Sequence, residues 1–275
     1  ICPEPYGVVL IMAPWNYPVQ LCLMPLIGAI SAGNCAVIKP SAYAAESSHV
    51  IRKIISDAFP PEYISVIEGG RAENQALLEE KFDYIFFTGS PKVGHLVMEE
   101  ASKNLTPVTL ELGGKSPVIV DETANIARAA RRIAFGKVLN AGQTCVEPDY
   151  LLIQRGVRDR FIEEYKKALK SFFPRGDMSM MVHIINDKHF ERLTAVLASG
   201  TAVIGGGSDK ASRFIEPTVL VDVPLDSPAM QEEIFGPVLP VLCYDEIDEC
   251  ISFIRSRPRP LALYMFSEDR AAQDR

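Results

Sequence analysis

"GVVLIMAPWNYPVQLCLMPLIGAISAGNCAVIKPS", residues 7 to 41, is the stretch on which the fold class turns. It reads as an apolar β-rich run, "GVVLIMA", a helical pattern from Val19 to Ile30, a turn at Ser31, Gly33 and Asn34, and a second apolar run, "CAVIK". No charged residue lies between Glu4 and Lys39. Because a membrane helix needs only about 20 apolar residues, a span is the competing reading. The prolines, asparagine and tryptophan of "APWNYP" interrupt the run, and the turn interrupts it again, so a buried strand–helix–strand unit is the expectation.

Downstream the alternation continues with a helical pattern over 44–59, "ISVIE", a helix over 71–80, "YIFFTG" and a helix over 93–103. Apolar strands separated by helices are what a parallel sheet covered on both faces requires, which predicts a doubly wound, nucleotide-binding type of domain. After "PVTLELGG" the pattern changes to "SPVIVD", a helix from Ile126 to Leu139, a polar bend with Cys145, "YLLIQ" and a helix from Val157 to Phe172. "TAVIGG", "EPTVLVDV" and "VLPVLCYD" follow, with helices at 188–197 and 247–255. The fold class expected is α/β, with residues 1–111 forming a dinucleotide-binding domain and 112–275 a second α/β domain. The "GGGSD" of residues 205–209 reads as a surface turn.

With 275 residues, 48% of them hydrophobic, the chain can fill one large or two ordinary domains. A net charge of −7 without a long run of one sign gives no footprint for nucleic acid or an anionic membrane, and favours a small-molecule partner. The six cysteines are irregularly spaced and form no C-x-x-C, which argues against a disulfide framework and a zinc site and for a reducing compartment, hence a cytoplasmic location. The chain starts at Ile1, so a targeting segment upstream would be invisible.

Five places carry candidate chemistry, each with a plain structural alternative. In "FFTGSPKVG", backbone N–H groups from Gly89 and Ser90 to Gly94 open a helix and can face an anion, or simply make a turn. Lys39 ends a strand at the carboxyl edge of the sheet, where ligands bind, or is a solvated lysine. Glu111 is the acidic residue of an apolar strand: partly desolvated it suits a general base, otherwise it points off an edge strand. Asn16, in "PWNYP", is a neutral amide suited to an oxyanion, or turn chemistry. Cys145 is a nucleophile or a small buried hydrophobe.

Taken in order, "PWNYP", "AGNCAVIKPS", "FTGSPKVG", "LELGGKSP", "NAGQTCVEPDY" and "QEEIFGPV" resemble the aldehyde dehydrogenase superfamily, and the "PWNYP" and "GQTCVxPDY" forms are similar to its class 3 branch. The resemblance runs from Glu4 to Phe266. It implies a variant Rossmann cofactor domain plus a catalytic domain, and NAD(P)-dependent oxidation of an aldehyde to a carboxylate. By it Cys145 attacks the carbonyl, the Asn16 amide and the Cys145 N–H bind the oxyanion, and Glu111 activates water to hydrolyse the thioester. Lys39 is assigned to the adenosine ribose of NAD or NADP, Gly89, Ser90 and Gly94 to the pyrophosphate region, and Glu233 with Phe235 to the nicotinamide end. No metal is implied.

The resemblance also implies missing segments at both ends, a homodimer for the whole protein, and room for a membrane-anchoring tail beyond Arg275. Two departures matter. Ala42 replaces a glutamate that disfavours a 2′-phosphate, and Glu147, two residues past the nucleophile, replaces a small residue. A carboxylate turned toward Cys145 would oppose thiolate formation. The alternatives are a coenzyme A-acylating semialdehyde dehydrogenase, disfavoured by Glu111, and a catalytically impaired or truncated copy with a binding or structural role.

Overall fold

The computed structural model describes residues 4–275, and Cys2 lies outside the described residues. The chain divides into two compact units, Ile1–Leu112 and Gly113–Arg275.

The first unit runs β1 (Val8–Met12), α1 (Pro18–Ser31), β2 (Cys35–Lys39), α2 (Ala45–Ala58), β3 (Ile64–Val66), α3 (Arg71–Glu79), β4 (Tyr84–Gly89), α4 (Pro91–Ser102) and β5 (Val108–Leu112). All its strand pairs are parallel, in the order β3-β2-β1-β4-β5, the doubly wound order of a Rossmann sheet. Apolar residues on the two faces of β1 enter different cores: Val9 and Ile11 pack with Cys22, Leu26 and Ile38, Leu10 and Met12 with Phe87 and Val97. Burial on both faces is why this strand reads as a continuous apolar run and not as an alternation.

The span reading fails on geometry. α1 has 14 residues and opens with Pro18 in its first turn, and among the described residues no helix is long and apolar enough to cross a membrane. The turn after it uses Gly33 at φ 80°, and the Asn34 side chain accepts from Gly7 N at 3.0 Å and donates to Ala29 O at 3.2 Å, binding the helix end to the strand it must reverse beside. α4 starts two residues earlier than periodicity places it, because Ser90 caps it and Pro91 is preset for the first helical position.

The second unit runs β6 (Pro117–Val120), α5 (Ile126–Val138), β7 (Tyr150–Gln154), α6 (Arg158–Phe172), α7 (Asp187–Leu197), β8 (Thr201–Ile204), β9 (Ser208–Asp209), β10 (Phe214–Ile215), β11 (Thr218–Val221), α8 (Pro228–Gln231), β12 (Val238–Tyr244), α9 (Ile247–Arg255), β13 (Tyr264–Phe266) and α10 (Arg270–Gln273). Its main sheet, β13-β6-β7-β12-β11-β8, is parallel except for the β8–β11 pair. One face of that sheet packs on α5 and α6 through Ile133, Phe161 and Tyr165, the other on α7 and the 229–234 segment through Phe190, Leu193 and Ile234. The glycine-rich turn leads into the short β9–β10 hairpin.

Candidate active site

In the first unit the sheet gathers four candidates at or past the carboxyl ends of its strands. Asn16 follows β1, Lys39 ends β2, Gly89 and Ser90 close β4 and open α4, and Glu111 is the penultimate residue of β5. The strand order reverses beside β1, between it and β4, and it is at such a point that open α/β sheets bind ligands.

Lys39 is not a solvated strand-end lysine. It is 3% exposed, and its Nζ donates to Pro40 O at 2.8 Å and Gly69 O at 2.7 Å. Burial pushes its pKa down, with Glu73 pulling the other way. An ammonium has three protons, so two carbonyls leave one for an external acceptor. Gly94 is where α4 meets the sheet: a Cβ there would lie 2.9 Å from Leu112 Cδ2, so the end of the Leu112 side chain would have to turn aside. Ser90 Oγ accepts from Val93 N at 3.4 Å and caps the helix.

Glu111 has different surroundings. It sits opposite Thr88 on β5, the edge strand, and is exposed. An edge strand leaves one side of the chain to solvent, and Glu111 stands on that side.

In the second unit α5 ends at Val138 and the chain enters a left-handed stretch, Asn140 at φ 51°, Ala141 at 53° and Gly142 at 69°. Two consecutive non-glycine residues in this region are strained and persist only where the surroundings hold them. Gln143 does much of the holding: its Nε2 donates to Asn140 O and His183 O at 3.0 and 3.2 Å, and its Oε1 accepts from Ile185 N at 3.0 Å. Cys145 then lies half-buried in a turn closed by Glu147 N donating to Thr144 O. Tyr264 Oη donates to Val146 O at 2.5 Å. Burial first, and then Cys145, push the Tyr264 hydroxyl pKa up.

Glu147 is 3% exposed and its carboxylate is committed elsewhere than to the thiol: Oε2 accepts from Lys137 Nζ at 2.9 Å and Oε1 from Gly236 N at 3.3 Å. Burial drives its pKa upward, and Lys137 opposes that. A second ion pair joins Lys115, 13% exposed, to the fully buried Asp149, two residues past Glu147.

These charged groups hold the "EEIFG" segment, residues 232–236, by its backbone. Lys115 Nζ donates to Ala229 O and Glu232 O, Arg192 to Glu233 O at 3.0 Å and Ile234 O at 2.6 Å, and Lys137 to Gly236 O at 3.0 Å. Asp149 Oδ2 accepts from Ile234 N at 2.8 Å. The latch places the Glu233 carboxylate on the Gly113–Gly114 backbone, where a Cβ on Gly113 would lie 2.3 Å from Glu233 Oε2. Glu233 Oε1 is buried and has no hydrogen-bond partner among the described residues. Burial pushes this carboxyl up to about 7, with the Gly114 N–H holding it back. Phe235 is half-buried at φ 50°.

Sequence reasoning missed Lys137, Lys115, Asp149 and Arg192. Lys137 had a signal: it occupies a core-facing position of α5, in helical step with Ile126, Ala130, Ile133 and Ala134, and a lysine on such a stripe demands a buried partner. A cleft of about 500 Å³ lined by Arg155, Cys243, Cys250 and Phe253 includes none of the candidate residues. Among the described residues no group of three or more His, Cys, Asp or Glu could hold a metal ion, and Cys22, Cys35, Cys243 and Cys250 are free thiols.

A family model described as "Aldehyde dehydrogenase family" matches residues 1–275. The 4,4'-diaponeurosporen-aldehyde dehydrogenase of Staphylococcus aureus is 55% identical over 276 residues, 99% of this chain and 60% of the relative. The dimeric, NADP-preferring aldehyde dehydrogenase of Mus musculus is 48% identical, over 97% of this chain and 59% of the relative. A solved structure of Staphylococcus aureus AldH in a substrate-bound state superposes with a TM-score of 0.95 at 54% identity, over 98% of this chain and 60% of that one. The chain thus spans about 60% of the length of these relatives.

Proposed function

The chain belongs to the aldehyde dehydrogenase family, and from that premise we propose that the whole protein oxidises an aldehyde to a carboxylate with NAD or NADP as hydride acceptor. The observation that carries this reading is in the second unit. A half-buried cysteine sits on a strained loop, and Glu147 and Asp149, just past it in the chain, accept from the Gly236 and Ile234 N–H groups that flank Phe235.

In this reading Cys145 Sγ adds to the aldehyde carbon, and the oxygen takes the negative charge. Asn16 Nδ2 and the Cys145 N–H are the proposed donors to it, neutral groups that stabilise charge without a counter-charge to desolvate. A dinucleotide held by Lys39, the N-terminus of α4 and Glu233 would supply the hydride acceptor that the adduct on Cys145 needs to become a thioester. Glu111 takes a proton from water as the water attacks; the thiolate leaves and the carboxylate is released.

The residues present fit the dinucleotide on three counts: the spare proton of Lys39 suits a ribose oxygen, the capped N-terminus of α4 suits a phosphate, and the orphaned Glu233 Oε1 suits a hydroxyl donor. Ala42, exposed just past β2, supplies no carboxylate against a 2′-phosphate, so acceptance of NADP is part of the proposal. A homodimer is the proposed assembly, in line with the mouse relative named as dimeric. The sequestration of Glu147 by Lys137 removes one motive for reading the chain as an impaired copy.

The test is NAD(P)H formation by the full-length protein and its Cys145→Ser variant on medium-chain and aromatic aldehydes, with 4,4'-diaponeurosporen-aldehyde in the panel. Turnover by the parent and its loss in the variant are expected. A silent parent, or activity that survives the substitution, overturns the reading.

A further inference from the structure

Gly236 is held at both of its peptide groups by one ion pair. Its N–H donates to Glu147 Oε1 at 3.3 Å and its carbonyl accepts from Lys137 Nζ at 3.0 Å, while Lys137 and Glu147 meet at 2.9 Å. The two side chains are 0% and 1% exposed. On one side of Gly236 stands Phe235, an aromatic residue at φ 50°, a conformation that costs free energy and needs surroundings that fix it. On the other side the pair reaches the cysteine loop. A Cβ on Gly142 would lie 2.4 Å from Gly236 O and 2.5 Å from Glu147 Oε2, so loop, carboxylate and Gly236 are in direct contact. A buried ion pair is a poor source of net stability compared with apolar groups of the same volume, whereas its geometry is demanding. Here that geometry is spent on one residue between two candidate site segments.

We propose that Glu147, paired with Lys137, is a positioning residue: it clamps Gly236 and thereby fixes the Phe235 turn against the loop that carries Cys145. Its catalytic consequence rests on the function proposed above for Cys145 and Phe235; the clamp itself does not.

The experiment compares the full-length parent with Glu147→Gln and with the double variant Lys137→Met/Glu147→Leu. The double variant replaces both charges by apolar groups, so neither charge is left buried and unpaired. Amide hydrogen exchange over residues 232–238 and steady-state kinetics are read on each. In the double variant exchange over 232–238 accelerates about tenfold or more while β7 keeps its protection. Its kcat falls about tenfold or more with aldehyde KM within about threefold of the parent, the mark of lost positioning and not of lost binding. Glu147→Gln, which keeps an oxygen for Gly236 N–H, lies between parent and double variant in both measurements. Unchanged exchange over 232–238 in the double variant overturns the clamp, and parental kcat despite faster exchange overturns its positioning role. If the double variant does not fold, Glu147→Gln is read in the same way: parental exchange and kcat overturn the proposal. A parent without Cys145-dependent turnover overturns the proposed function instead, and the exchange measurement then still decides the clamp.

Discussion

Glu233 shows how one residue's environment becomes a pH dependence. Its Oε1 is buried without a partner, and burial lifts the carboxyl to about 7 from an ordinary 4.5. The sign follows from proton counting: between those values the folded protein retains a proton that the unfolded chain releases, so this group makes stability fall as pH rises from 4.5 to about 7. Glu233→Gln cannot titrate. The stability of the variant relative to the parent is expected to rise across that window, by at most about 3 kcal/mol, and to level off above it. Urea unfolding of both proteins at pH 5, 6 and 7.5 reads this, and a pH-independent difference would reject it. From sequence alone Glu233 was identifiable as a site residue only through the "QEEIFGPV" resemblance, and its perturbed carboxyl was not visible. Its environment comes from Gly113 and Gly114, about 120 positions upstream.

At the scale of elements, the latch on residues 232–236 replaces secondary structure. This segment belongs to no helix or strand, yet the Glu232, Glu233, Ile234 and Gly236 carbonyls and the Ile234 and Gly236 N–H groups are met by buried or half-buried side chains. Satisfying buried backbone groups in this way is obligatory, since each unpaired one costs about 1–3 kcal/mol. Asp149→Ala strips the Ile234 N–H of its acceptor and leaves Lys115 without its carboxylate in a site where the lysine is 13% exposed. A loss of about 3–5 kcal/mol is expected, measurable by denaturant unfolding, with Asp149→Asn less severe because it keeps an acceptor for Ile234. Equal losses in the two variants would mean that the hydrogen bond to Ile234 contributes little. Elements with a strong period were legible before any coordinates: "CAVIK", "YIFFTG" and "YLLIQ" coincide with β2, β4 and β7, and the 247–255 helix with α9. β9 and β10 were not, because strands of two residues carry too short a pattern to distinguish from a loop.

For the whole molecule the unit of argument is the core. Each compact unit has its own buried clusters, Val9, Ile11 and Ile38 or Leu10 and Phe87 in the first, Ile133, Leu151 and Tyr165 or Leu193 and Ile234 in the second. Leu10, fully buried in β1, is therefore expected to act locally. Leu10→Ala should cost the first unit about 2–5 kcal/mol and speed hydrogen exchange in β1 and β4 while β7 and β12 keep theirs; equal loss in both sheets would show one cooperative core. The sequence by itself determined the parallel first sheet, because apolar runs alternating with amphipathic helices leave few other ways to bury both faces of a strand. It also determined the ordered motifs that identify the family. Only the tertiary structure decided that Lys39 is buried on two carbonyls, that Glu111 lies exposed on an edge strand, and that Glu147 pairs with Lys137 beside Gly236. Those outcomes depend on which distant backbone groups a side chain meets, and a polar partner about 90 positions away leaves no periodicity to read.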